Sequence, residues 1–382
     1  MDFHYTEEQR ALQQLAGRLF AQRFTDEHRK LFRRGGDAYD ATLWAALAEA
    51  GVLGTAIAPA HGGSGLGLTE LCLVLEEQGR TLAALPLLAS LVLGALPLQR
   101  FGNSAQQTLL EQVGNGRLLL SAALEEPGAN PLEPETRARP MAGGWRLSGE
   151  KTCVPYAAQA QYLLVSALTE AHGARLFLVP VGAPGIHVQP QRSTSGEPQG
   201  LIHLKDVPVG AAELLGASPE SAARALEWTL ARAHVALAAL QLGVVSEALR
   251  RAAAYVSERC QFGRPLGSFQ AVQHRLADCY MDIEALRSAY LRAVWALDAG
   301  VESQAEVLAA KWWAAQAGHR VTHAVQHVHG GLGADLEYPV HAYFLAAKQI
   351  ELALGGATPV LAAIGRELAG DAVRPFTGTQ ES

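Results

Sequence analysis

The hydrophobic period of this chain changes twice, and that change limits what it can fold into. Over roughly the first 120 residues apolar side chains recur at helix spacing. Leu12, Leu15, Leu19 and Phe20 form one such set, and Leu43, Trp44 and Leu47 form another. HGGSGLG (61–67) interrupts them as a turn, with a further helix resuming near Glu70. It is not a dinucleotide fingerprint, because its third glycine is misplaced and no strand precedes it. From about Ser121 to Leu215 proline and glycine become frequent and the runs shorten. YLLVSAL (162–168) and RLFLVPV (175–181) read as strands joined through His172-Gly173, and IHVQP (186–190) and LIHLKDVPV (201–209) continue them. Beyond that point helix spacing returns, first through Leu226, Leu230, Leu237 and Leu240, then through Leu276, Tyr280, Ile283, Leu286, Tyr290 and Val294. A third helix covers Val301 to about His329, where Gly330-Gly331 stops it. The pattern predicts a mainly α chain with an inserted β domain: helices over 1–120, a small β domain over 121–215, and a helical bundle over 216–382.

With 382 residues, 49% of them apolar, the chain can bury a sizeable core. Its formal charge of −6 is spread rather than blocked, so no basic stripe offers a nucleic-acid surface. Four cysteines lie far apart with no CxxC pair, which argues for reduced thiols and against a metal site or a disulfide framework. The opening MDFHYTEEQR is acidic and polar where a secretory signal would be basic and then apolar. The most apolar run, 84–99, is too short to span a bilayer and carries Pro86 and Pro97. A cytoplasmic protein without membrane insertion is the expectation.

Two motifs are specific. RCQFGRPLGSFQAVQHRLAD runs from Arg259 to Asp278, and HVHGGLGADLEYPVH follows from His327 to His341. With LWAALAEAGVLGTAIAPAHGGSGLGLTELCLVLEEQGR (43–80), they resemble the acyl-CoA dehydrogenase family over almost the whole chain. The resemblance implies an N-terminal helical lobe, a β-barrel-like middle domain and a C-terminal four-helix bundle. It implies FAD as cofactor, shared across a subunit interface, and desaturation of an acyl-CoA thioester. In that reaction a carboxylate removes the α-proton while hydride leaves to the flavin.

The residues that reach into a neighbour's flavin site are kept. Arg259 matches the arginine that meets the flavin diphosphate, a task suited to a guanidinium fork. Gln261, Phe262 and Gly263 match the adjoining contacts, and Gln270 stands where the family keeps a glutamine. Gly330 and Gly331 match glycines that let backbone approach the adenosine end. His327 replaces the glutamine before them. A turn rich in surface polar residues is the bland alternative for this set.

The substrate-side residues are eroded. A loop usually written TEPGAGSD is LEEPGANP (124–131), with Glu125 in place of the threonine. The motif GxKxWIT is GEKTCVP (149–155). Cys153 replaces the tryptophan that packs on the flavin, and Pro155 replaces a hydroxyl residue and deletes a backbone donor. Leu354 stands at the catalytic glutamate, and the alternative position on an earlier helix is Ala233. Losing a positioned base costs on the order of 10²–10⁴ in rate. His234 and Glu351 are the remaining candidates. An isolated histidine on an apolar helix is more often a packing residue, and Glu351 reads as a solvated surface charge.

One half-site eroded and the other kept implies a chain that pairs with a different, glutamate-bearing paralogue. The EEPGA loop, HVHGGLG with EYPVH, and ALGG resemble the base-lacking subunit of heterotetrameric acyl-CoA dehydrogenases of bacterial steroid side-chain degradation. That resemblance implies a steroid-type acyl-CoA substrate and a separate electron-transfer acceptor. Two alternatives stay open: a self-sufficient homo-oligomeric dehydrogenase with an atypical base, and a non-enzymatic scaffold that has lost flavin.

Overall fold

The computed structural model describes residues 3–170, 173–301 and 304–372. Helix α1 (Glu7–Arg23) starts at a capping box, with Thr6 accepting from the Gln9 N–H and Gln9 reaching back. Helices α2 (Asp26–Gly35), α3 (Ala41–Glu49) and α4 (Leu68–Thr81) follow. The apolar run folds as a buried π-helical segment, Leu88–Ala95, continuing into α5 (Leu96–Phe101). Two short helices, α6 (Ser104–Gln107) and α7 (Leu109–Gly114), close this part.

Seven strands form one sheet: β1 (Leu120–Ala123), β2 (Arg137–Met141), β3 (Gly144–Pro155), β4 (Tyr162–Thr169), β5 (Gly173–Pro180), β6 (Ile186–Arg192) and β7 (Pro198–Gly210). Their order is β1-β4-β2-β3-β7-β6, with β5 antiparallel to β4. The strands expected from alternation are all present. His172 lies outside the described residues. Strands β1, β2 and β3 escape the alternation test for different reasons. The first is buried at every residue, the second is exposed at all but one, and β3 carries register shifts at Leu147/Gly149 and Lys151/Val154.

Helix α8 (Pro219–Glu258) then runs for 40 residues. Ser218 caps it by accepting from the Ser221 N–H, and Pro219 sits in the first turn. A two-strand hairpin of β8 (Cys260–Gln261) and β9 (Arg264–Pro265) leads to α9 (Gln270–Asp298) and α10 (Gln304–His329). After a short turn over Gly330–Ala334 come α11 (Val340–Leu352) and α12 (Ala357–Ala372). Helices α8 to α11 pack as the bundle, so the mainly α chain with an inserted β domain is the fold observed.

Alone among the described helices, α8 is apolar and long enough to cross a membrane by composition, and its apolar window is 94% buried inside the protein. One continuous apolar core runs through both helical regions, and a second fills the sheet. The first core depends on a near-backbone crossing of α4 and α8. A Cβ on Gly243 would stand 1.9 Å from the Glu76 carbonyl oxygen, and one on Gly79 would stand 2.1 Å from that of Leu240. Because backbone lines both sides of the crossing, the helices must separate to admit a methyl group. Gly243→Ala should therefore destabilise the protein by about 1–3 kcal/mol, seen as a lower midpoint in scanning calorimetry. An unchanged midpoint would contradict this packing.

Candidate functional site

The kept and eroded residues gather at two places. At the C-terminal end of α8 the chain leaves the helix at Arg259 and makes a two-residue hairpin turn. Phe262 and Gly263 both have positive φ (54° and 79°). Such a turn prefers glycine or asparagine at its first centre, so phenylalanine there is strained by about 1–3 kcal/mol. Phe262 is also 90% exposed, and its ring meets the edge of Phe269 at 6.1 Å between centroids. The Arg264 guanidinium lies 4.0 Å over the Phe269 ring and braces the hairpin's return strand. Arg259, Gln261 and Gln270 are exposed beside it, with Gln270 as the first residue of α9.

The glycine motif joins this end. Tyr255, one turn before Arg259, stacks on His329 at 4.3 Å, and Tyr338 packs on both rings. His329 Nδ1 lies 2.7 Å from the Val325 carbonyl, the geometry of a donated hydrogen bond. Gly330 (φ 58°) and Gly331 follow directly, and a Cβ on either would meet nothing within 4 Å. His327 is exposed. A strained exposed aromatic, a guanidinium and open glycine backbone are a donor set that fits an anionic, planar cofactor.

The eroded residues meet at a second place, gathered from 229 positions apart in sequence. Glu125 Oε1 accepts from the Leu354 N–H at 3.2 Å. On the other side of Leu354, its carbonyl oxygen lies 3.1 Å from His234 Nε2. That geometry makes Nε2 the donor, and Nδ1 is then buried without a partner. Lys311, fully buried, donates to the Ile350 and Glu351 carbonyl oxygens at 3.0 Å each. Leu354 is held at φ 54°, a left-handed conformation that costs a leucine about 1–3 kcal/mol. Ala233 is buried next to His234.

The β domain closes the same face. The Thr152 N–H donates to the Glu125 backbone carbonyl at 2.9 Å. Cys153 also has positive φ (52°), and its N–H donates to Gln191 Oε1 at 2.9 Å. Pro155 has no N–H. Behind Glu125, the Glu126 carboxylate accepts from Lys151 at 2.6 Å and from the Thr136 N–H at 3.0 Å. Burial pushes the Glu126 carboxyl up, but Lys151 and the bonds from Thr136 hold it below the usual carboxylate range. On α11, Gln349 bridges Ser195 and Glu197 and so ties the β domain to the bundle.

Glu351 is not a solvated charge. Its carboxylate is largely buried and pairs with Lys348, with His319 3.5 Å away. Among the described residues, Glu125 is the carboxylate that reaches Leu354, and sequence reading took it only as a lost threonine. Burial raises its carboxyl above the usual range, while the Leu354 N–H and the Lys311 charge pull the other way. Burial likewise lowers Lys311 to about 8, against the pull of Glu125 and Glu351. Burial and the Lys311 charge together lower His234 to about 4, despite its bond to Leu354.

The two places are far apart. Between His234 and Arg259, α8 rises about 37 Å at 1.5 Å per residue.

Family models for the N-terminal, middle and C-terminal domains of acyl-CoA dehydrogenases match residues 6–116, 122–207 and 223–368. The chain belongs to the acyl-CoA dehydrogenase family, whose members bind FAD and act as oxidoreductases on CH–CH bonds. It is 40% identical to acyl-CoA dehydrogenase FadE27 of Mycobacterium tuberculosis, over 97% of this chain and 99% of that protein. Among solved structures it is similar to a chain of the ChsE4–ChsE5 complex from Mycobacterium tuberculosis. There the TM-score is 0.90 at 40% identity, covering 97% of this chain and 99% of that one. It is also similar to a chain of the Tcur3481–Tcur3483 steroid acyl-CoA dehydrogenase G363A variant, with TM-score 0.91 at 45% identity, covering 96% and 99%.

The buried imidazole makes the loop around Leu354 sensitive to acid. Between pH 6.5 and about 4 the unfolded chain binds a proton at His234 that the folded chain refuses, so stability falls as pH drops through that window. His234→Gln keeps a donor for the Leu354 carbonyl and removes the titration. It should flatten the acid slope by roughly 1–3 kcal/mol, measured from unfolding midpoints at pH 7 and pH 5. Equal slopes in the two proteins would contradict a neutral buried His234.

Proposed function

We propose that this chain is the subunit without a catalytic base in a heterotetrameric acyl-CoA dehydrogenase. Its partner is a paralogue that carries the glutamate and the substrate. The complex is cytoplasmic, takes CoA thioesters of steroid side chains, and passes its electrons to an electron-transfer acceptor. The observation that carries this reading is the separation of the two half-sites along α8. A chain whose hairpin begins about 37 Å along α8 from His234, the residue bonded to its own Leu354, lends that hairpin to a neighbour. A neighbour identical to itself would again present leucine where a base is needed. The two solved complexes it resembles carry pairs of protein names, which supports unlike subunits.

In this reading Arg259 pairs with the flavin diphosphate, Phe262 and Gln261 flank it, and the Gly330-Gly331 backbone approaches the adenosine end. His327 and Gln270 line the same surface. The flavin, when bound, supplies the hydride acceptor. This chain's residues bind and orient it and move no proton.

Glu125 gives substance to a second reading, a self-sufficient homo-oligomer. Its carboxylate reaches the Leu354 backbone, so it could act as the atypical base.

Purification separates the two. The chain alone should carry little flavin and no dye-coupled activity with a CoA thioester, and should gain both on co-expression with a glutamate-bearing paralogue. Within that complex, Arg259→Ala should weaken flavin binding about 10- to 100-fold, the loss of a charge-assisted bidentate contact. A yellow, active homo-oligomer of this chain would overturn the subunit reading.

A further inference from the structure

We propose that Glu125 seals this chain's own flavin face, so that the subunit offers flavin only its hairpin and glycine contacts. The inference rests on the subunit reading above and gives its erosion a physical agent.

A face that accepts a cofactor keeps donors free for it. Here three main-chain donors across the β-domain side and the loop are committed within the chain. The Thr152 N–H goes to the Glu125 carbonyl, the Cys153 N–H to Gln191, and the Leu354 N–H to the Glu125 carboxylate. Pro155 has no donor to offer. The replacement itself matters. A threonine hydroxyl can donate to a ligand, whereas here the Glu125 carboxyl oxygen is taken up by the chain's own Leu354 N–H.

The seal is supported from both sides. From the β domain, the neighbouring Glu126 is anchored on Lys151 and on the Glu135 and Thr136 N–H groups, which fixes the direction in which Glu125 points. From the bundle, Lys311 grips two carbonyls of the 350–354 segment and His234 grips a third. The segment is thus held by three carbonyls and one amide, and the amide's partner is Glu125. At the hairpin end the reverse holds: Phe262 is exposed and the Gly330 and Gly331 positions open on empty space.

The test uses the co-purified complex, with FAD as the probe. Wild type, Glu125→Ala and Glu125→Gln are compared by amide hydrogen exchange over residues 350–356 and by equilibrium dialysis against added FAD. Wild type should hold one flavin per pair of unlike subunits, with the segment protected. Glu125→Ala should speed exchange at Leu354 about tenfold, the worth of one buried hydrogen bond, and should take up additional FAD. Glu125→Gln keeps an acceptor oxygen and should match wild type. Faster exchange without extra FAD would leave Glu125 a merely structural residue and overturn the proposal. Unchanged exchange, or two flavins per pair in wild type, would overturn it as well. A glutamine variant as open as alanine would overturn the hydrogen-bond account. If the chain forms no complex with a paralogue, the subunit reading fails separately. The same exchange and dialysis on the isolated chain still decide whether Glu125 closes the face.

Discussion

The whole arrangement depends on α8 being one unbroken helix, buried through its middle. Its middle is pinned by the glycine crossing with α4, where main chain meets main chain at Gly79 and Gly243. Near the N-terminal side of that crossing it carries Ala233 and His234, and at its end it carries Arg259. A continuous helix with a packed middle does not fold back to bring these points together. Whatever contacts a cofactor at one end is therefore physically independent of what happens at the other. That independence would let one half-site decay chemically while the other stays intact, as the proposed subunit reading requires.

The two ends show opposite solutions to the same accounting of polar groups. Around Leu354 the donors and acceptors have been turned inward: carboxylate to amide, imidazole to carbonyl, ammonium to two carbonyls. Leaving such groups buried and unpaired would cost about 1–3 kcal/mol each, so an eroded site is stable only if it closes on itself. The left-handed Leu354 and Cys153 are tolerated because these bonds hold them. At the hairpin the strain points outward instead. Phe262 occupies a turn position that disfavours it and buries almost none of its surface within the chain. A strained aromatic left this exposed, with the edge of Phe269 against it, presents an apolar surface outward.

Much of this was legible in the sequence. The α, β, α order followed from where the hydrophobic period changed, and the RCQFG and HVHGGLG motifs marked the hairpin and the glycine turn directly. Strand β3 was not legible as a strand, because its register shifts break the alternation that reveals one. The clasp between Glu125 and Leu354 was illegible for another reason. Its two halves are joined only by tertiary packing, and a substitution read as a loss gave no sign of what the new side chain would bond. Glu351 misled similarly, since its pairing with Lys348 and the burial around it are set by α10 and α11 packing together.

The most direct test is where a bound flavin sits, found by diffraction from the complex with the paralogous partner. The account predicts an isoalloxazine on the partner's face, its diphosphate against Arg259 of this chain and the Phe262 hairpin reaching over it. On this chain's own face the Glu125 carboxylate would still be bonded to the Leu354 amide. A flavin stacked on Cys153 and Leu354, with Glu125 turned aside or poised at a substrate carbon, would contradict it.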